Sequence, residues 1–355
     1  MRNRNQPKKV FFQSATLYQV AELAGVSHQT VSRVVNASPL VTEPTRARVL
    51  DAITRLNYRP NKVARNLAAR RSALIGVITF AVESYGPSHL IVSISQAARK
   101  LGYHLVLASA ETSTLEEIKR CATELREHGV DGFIVILPTA QKLRALEHVF
   151  GESPVVVMGT SRHHRYTAVE IDHENGSRHA TGYLISLGHR EIACVSGPLD
   201  WECSSLRRQG WRRALATQKL PLGPAVEGEW SAEGGYGAAR QLLDSRAHFT
   251  AVVAANDQIA LGLVEAFSER GIQVPQDISV VGFDNMPESK FFRPPLTTVH
   301  HDFDLLGATS LRYVTEAIAN PKIPRRHHKI VPELVIRESA RAISTKSAPI
   351  GSAQT

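Results

Sequence analysis

Residues 16–36 read TLYQVAELAGVSHQTVSRVVN, and their spacing predicts two short helices around a tight turn. Thr16 with Gln19 three residues later is a capping-box pattern. Val20, Leu23 and Ala24 have helical spacing, and Gly25 stands where a left-handed residue would stop the helix. Ser27 then caps a second helix, with Val31, Val34 and Val35 at i, i+3 and i+4 on its inner face. His28, Gln29, Ser32, Arg33 and Asn36 are left pointing outward. Gln29 and Arg33 lie one turn apart, and their side chains are the types that bond bidentately to adenine and guanine edges. A helix-turn-helix would lay that face in the DNA major groove. A plain helical hairpin with a polar surface is the alternative.

Charge favours DNA. The 355-residue chain has a formal net charge of +9, and residues 1–71 carry thirteen Lys plus Arg against three Asp plus Glu. The whole positive excess therefore sits in the first fifth of the chain. Such a concentration suits a polyanion, because each cation that neutralises a phosphate releases counterions. A membrane surface is a weaker candidate, since no basic amphipathic helix with an aromatic face is present. Three cysteines, Cys121, Cys194 and Cys203, without a CxxC or a pairing pattern, suit a reducing compartment. The basic start MRNRNQPKKVFFQSA lacks the apolar run of a signal peptide, so a cytoplasmic protein with no membrane partner is expected.

Moving outward, residues 1–15 read as a disordered basic arm and 16–60 as the helical head, whose third helix starts after Thr42 with Val49, Ile53 and Leu56 inward. Residues 61–72 carry NKVARNLAARRS, a helix too short to stand alone and so dependent on a partner copy and DNA. From 73 to 340 apolar runs alternate with amphipathic stretches: ALIGVITF, YHLVLA, GFIVIL, PVVVM, EIACVSG, AVVAA and ISVVGF. That rhythm predicts an α/β core of two lobes with parallel sheets and right-handed crossovers. A helix near 303–319 and one strand near 329–336 would carry the chain back across both lobes. Residues 341–355 read as a flexible tail without a leucine heptad.

Open α/β sheets bind ligands beyond the carboxyl ends of their strands. Asp284 follows ISVVGF directly and can accept hydroxyls, Asn256 follows AVVAA and offers a donor and an acceptor, and Arg207 after SGPLDWECS supplies a fork of donors. Together they would make a polyol clamp.

Several motifs in order, from TLYQVAELAGVSHQTVSRVVN through LNYRPNKVARNLA, SGPLDWECSSLRRQGW, EGEWS, ANDQIALG, DISVVGFDN and PPLTTVHHDFDLLG, resemble the LacI/GalR family of bacterial transcriptional regulators over residues 16 to about 337. The resemblance implies a homodimer with a DNA-binding head, a hinge helix and a two-lobed core like periplasmic sugar-binding proteins. It implies base reading by His28, Gln29 and Arg33, and DNA-backbone contact by Leu17, Tyr18, Ser27, Thr30, Ser32 and Asn36. Leu67 and Ala68 match the hinge that wedges into the minor groove. Arg207, Asn256 and Asp284 match sugar-hydroxyl contacts, and Trp230 in EGEWS matches a stacking aromatic.

Departures from the family's best-known member are equally informative. His28 stands where that protein has Tyr, so operator preference can differ at the base pair it reads. In the effector site Gly159 replaces Asp, Cys203 replaces Ser, Phe80 replaces Ser and His301 replaces Gln. A carboxylate is lost and an aromatic gained.

The expected function is a repressor of double-stranded operator DNA, released by a small sugar-like inducer between the lobes. Use of the ligand as corepressor, and a sugar-binding transport protein, are the alternatives. An enzyme is not expected: GxSxG, a P-loop, GxGxxG after the first strand and HExxH are all missing. No cofactor is expected, and no metal, because the pairs His163–His164 and His327–His328 are adjacent residues that point apart, in segments read as loops.

Overall fold

The computed structural model describes residues 15–58, 71–112, 114–136, 147–159 and 166–343. Residues 1–14 of the expected arm, the hinge residues Leu67 and Ala68, His163, His164 and the tail from 344 lie outside them. The chain divides into two compact units, 1–72 and 73–355.

In the first unit, α1 (Leu17–Ala24), α2 (His28–Val35) and α3 (Glu43–Arg55) enclose Val20, Ala21, Ala24, Val31, Val34, Val49, Ala52 and Tyr58. Local chemistry sets the boundaries. Thr16 and Gln19 bond reciprocally, Gln19 N donating to Thr16 Oγ1 at 3.3 Å and Thr16 N donating to Gln19 Oε1 at 2.8 Å. Gly25 ends α1 with φ of 63°, and Ser27 Oγ accepts from Thr30 N at 3.2 Å to start α2. Leu23, expected inward, is 44% exposed. Ala21 takes its place on the buried stripe, because three helices this short leave room at their centre for small side chains. Thr42 caps α3 by position alone; its hydroxyl bonds to Thr45 Oγ1 and not to a backbone N–H.

The second unit holds two six-stranded sheets. β1 (Leu74–Phe80), α4 (Tyr85–Lys100), β2 (His104–Ala110), α5 (Leu115–Glu127), β3 (Gly132–Ile136), α6 (Glu147–Phe150), β4 (Val155–Met158) and β5 (Thr167–Ile171) form the first lobe. The second is built from α7 (His173–Ser186), β6 (Ile192–Ser196), α8 (Glu202–Thr217), β7 (Ala225–Glu227), α9 (Ala232–Asp244), β8 (Ala251–Ala254), α10 (Asp257–Glu269), β9 (Ser279–Asp284) and β10 (Thr297–His300). The chain then returns through α11 (Phe303–Ala319) and β11 (His327–Ile330) to the first lobe and ends on the second with β12 (Glu333–Val335). The strand orders are β11-β5-β4-β3-β1-β2 and β12-β10-β9-β8-β6-β7.

The expected parallel sheets are present, and the last expected strand needs correction. The single strand near 329–336 is two strands in different sheets, since Pro332 lacks the N–H a continuous ladder needs and the chain crosses between lobes there. The sheets are parallel except at the edge pair β10–β12, which is antiparallel because β12 arrives from the other lobe. His327 and His328 accordingly lie on β11 and not in a loop.

The chain therefore passes between lobes at 172, at 301–302 and at 331–332. The apolar strands β3 and β4, and β9 through to Asp284, are buried along their whole length, as strands covered on both faces must be. In the second lobe α9 and α10 meet backbone to backbone: a Cβ on Gly262 would come within 1.9 Å of the Ala232 carbonyl oxygen.

Candidate functional site

On the head, α2 exposes His28, Gln29 and Arg33 to solvent with Asn36, its C-cap, beside them. Burying Val31 and Val34 forces this outcome, because the remaining positions of an eight-residue helix have nowhere else to face. Tyr18, 70% exposed on α1, lies 5.4 Å ring to ring from His28. Ser27 and Thr30 share a side-chain hydrogen bond of 3.0 Å at the start of α2, Ser32 is half-buried and Leu17 packs against the head core. All the expected DNA-facing residues of the described head thus lie on α1, α2 or their caps.

In the second unit a cleft opens at the carboxyl ends of the strands, between the lobes. Phe80, Gly159, Cys203, Arg207, Trp230, Asn256, Asp284 and His301 all line it. The sequence had treated these groups as free. Several are engaged. Arg207 Nη2 lies 3.2 Å from Asp284 Oδ1, its Nη1 donates to the Ala255 carbonyl, and its Nε donates to His173 Nδ1 at 3.3 Å. The guanidinium also stacks 3.8 Å from the Phe283 ring centroid. Asn256 Oδ1 is the N-cap of α10, accepting from Ile259 N at 2.7 Å, so that residue has its amide hydrogens to offer and not both functions.

Behind the cleft Asp257, fully buried, accepts from Met286 N at 2.8 Å and from Thr298 Oγ1. It pins the loop after β9 that carries Asp284, and Gly282 is needed there because a Cβ would meet Asp257 Oδ1 at 2.3 Å. Asp284 itself has φ of 107°, a conformation that costs energy for any residue but glycine and concentrates at functional sites.

Burial governs the titrations. It raises the Asp284 carboxyl to about 6 against the opposing pull of Arg207, and raises Asp257 to about 7 with Asp284 adding repulsion. Burial, then Arg207, holds His173 and His301 well below the usual imidazole range, so both are neutral. Burial also keeps the Cys203 thiol protonated. Both ring nitrogens of His301 and the indole Nε1 of Trp230 are buried without a hydrogen-bond partner, the His301 Nε2 standing 3.5 Å from Asp284 Oδ1. Gly159 has φ of 140°, a backbone that disfavours any side chain.

Sequence reasoning missed Tyr85, His173, Trp201 and Phe303, which also line the cleft. Trp201 could have been found, as it sits at the N-cap of α8 within the motif that carries Arg207. Among the described residues no group of three His, Cys, Asp or Glu is placed to hold a metal ion.

Residues 16–61 match the family model of bacterial regulatory proteins of the lacI family, and residues 181–340 match the periplasmic binding protein-like domain. The lactose operon repressor of Escherichia coli (strain K12) is 37% identical over 335 residues, covering 94% of this chain and 92% of that protein. The chain belongs to the lacI family. Among other relatives of this lacI-family regulator, the ribose operon repressor of Escherichia coli (strain K12) is 35% identical over 92% of the chain and 100% of the relative. A solved lac repressor dimer bound to operator and the anti-inducer ONPF superposes with a TM-score of 0.87 at 37% identity, covering 93% of this chain and 100% of that one. These relatives are transcriptional repressors and not enzymes. No helix among the described residues is long and apolar enough to cross a membrane.

Proposed function

We propose that the protein is a homodimeric, cytoplasmic repressor that binds operator DNA through α2 and loses affinity when a small sugar-like effector occupies the cleft around Asp284. The observation that carries this reading is the pairing of two built surfaces in one chain: a capped helix with Gln29 and Arg33 exposed, and a cleft where Arg207, Asn256 and Asp284 converge. Gln29 and Arg33 read base edges; His28, beside Tyr18, sets the preference at a further position. The tilt of the charge toward the head supplies non-specific attraction to phosphates.

Asp284 accepts sugar hydroxyls, the Asn256 amide donates to one, and the free polar atoms of His301 and Trp230 meet others. The ligand then bridges both lobes, and closure at the three crossings changes the geometry offered to the head. Self-association finds support in the similarity to the solved lac repressor dimer.

Selection from a random duplex library tests the DNA reading. Enrichment of a two-fold symmetric site is expected, because a two-fold dimer reads paired half-sites. Recovery of duplexes with no common sequence would contradict it.

A further inference from the structure

We propose that Glu170 is a specificity-determining residue of the effector site: its Oε2 accepts a hydrogen bond from a hydroxyl at the end of the sugar turned away from Asp284. This rests on the sugar-effector reading and deepens it, since the effector is then a polyol held at both ends by carboxylates on opposite lobes.

Glu170 lies on β5 and lines the cleft while only 3% exposed. Its two carboxylate oxygens differ. Oε1 stands 3.2 Å from both Lys329 Nζ and His327 Nε2. Oε2 is buried with no hydrogen-bond partner. A carboxylate oxygen stripped of water and given nothing in return carries a desolvation cost that a bound donor removes.

Sheet register explains the asymmetry. Side chains alternate between the faces of a sheet, so neighbours at one level of parallel strands project to the same face. On one side of Glu170 stands its register partner on β11, Lys329, which reaches Oε1. On the other side Met158 of β4 pairs with Val169, and Gly159 N donates to the Val169 carbonyl at 3.2 Å, so the position beside Glu170 falls to Gly159. Glycine has no side chain with which to meet Oε2, and its φ of 140° disfavours one. Gly159 also lines the cleft, so the gap it leaves beside Glu170 is open to a ligand.

The partners of Oε1 decide the charge of the donor. Lys329 already meets the carboxylate with a positive charge, and it also stands 3.7 Å from Asp172 Oδ1. A ligand ammonium at Oε2 would come close to that cation and be repelled. A neutral hydroxyl meets no such repulsion, and its bond to a carboxylate is among the stronger hydrogen bonds. Lys329 and His327 hold the Glu170 side chain before the ligand arrives, which leaves little of it to be ordered on binding.

Calorimetric titration of the full chain with D-glucose, D-galactose, D-ribose, D-xylose, maltose and cellobiose, followed by the monodeoxyfluoro analogues of whichever binds, tests the assignment. Carbon-bound fluorine cannot donate, so replacing the hydroxyl that meets Oε2 is expected to weaken binding by about ten-fold or more. In Glu170→Gln the parent sugar is expected to lose affinity and the gap to that one analogue to shrink, with the gaps to the other analogues kept. Glu170→Asp, which keeps the charge but draws the carboxylate back by a methylene, is expected to lose the same hydroxyl's contribution. Variants that bind the parent sugar as tightly as the wild-type chain, or that weaken the parent and every analogue alike, overturn the Glu170 assignment and leave the sugar reading standing. Failure of every sugar to bind the wild-type chain overturns both.

Discussion

Asp284 combines a strained backbone, a buried carboxyl raised to about 6 and a single charged partner in Arg207. A hydroxyl donates more strongly to the ionised carboxylate than to the neutral acid, so an occupied site favours charged Asp284 and binding releases protons below that pH. Effector affinity is therefore expected to be full at pH 7 and above and to weaken as pH falls through about 6. Dissociation constants measured from pH 5 to 8 check this; affinity that is flat or improves on acidification would count against Asp284 as the acceptor. On the head, Arg33→Ala is expected to lose about 1–3 kcal/mol of operator binding concentrated on one base pair, measured against operators mutated singly. Equal loss on every sequence would mean that Arg33 meets phosphate. That Asp284 and Asn256 lie at the cleft was legible because each stands at or just past the end of an apolar strand. Prior commitments of atoms were not: the Asn256 cap and the Arg207–His173 bond depend on neighbours far away in sequence.

Elements whose limits are set by adjacent residues were readable from the chain alone, as the caps at Thr16 and Ser27 illustrate. Ser27→Ala is expected to cost the head about 1 kcal/mol, visible as a lowered melting midpoint of the first unit and weaker operator binding. Strands β5, β7 and β10 escaped notice because three to five residues with Thr or Glu among them show no usable periodicity. Their pairing comes from the sheet that receives them. Leu23 misled for a related reason, since helical spacing names a face without saying how wide a small core can be. Close helix contact carries its own test: Gly262→Ala puts a methyl against the Ala232 carbonyl, and an expected loss of roughly 1–3 kcal/mol or more should appear in urea unfolding of the core. An unchanged midpoint would show that α9 and α10 can separate at little cost.

For the whole molecule, the order α-helical head followed by two α/β lobes was plain in the change of texture near Ala73, and the chain crosses between the lobes three times. Splitting of the last expected strand at Pro332 was the part of the topology that pattern could not deliver, because the two halves join different sheets. Under the proposed mechanism the three crossings at 172, 301–302 and 331–332 act as the hinge, and the cleft sits between the lobes they join. A ligand that binds the closed arrangement better shifts the population toward it and can change DNA affinity by no more than that preference. The most direct measurement is fluorescence anisotropy of a labelled operator duplex titrated with the full chain at fixed salt, with and without the sugar that binds best from a panel of mono- and disaccharides. Saturating effector is expected to weaken operator binding by about 5- to 150-fold, the range of coupling of about 1–3 kcal/mol; an operator affinity that no cleft-bound ligand changes would contradict the account.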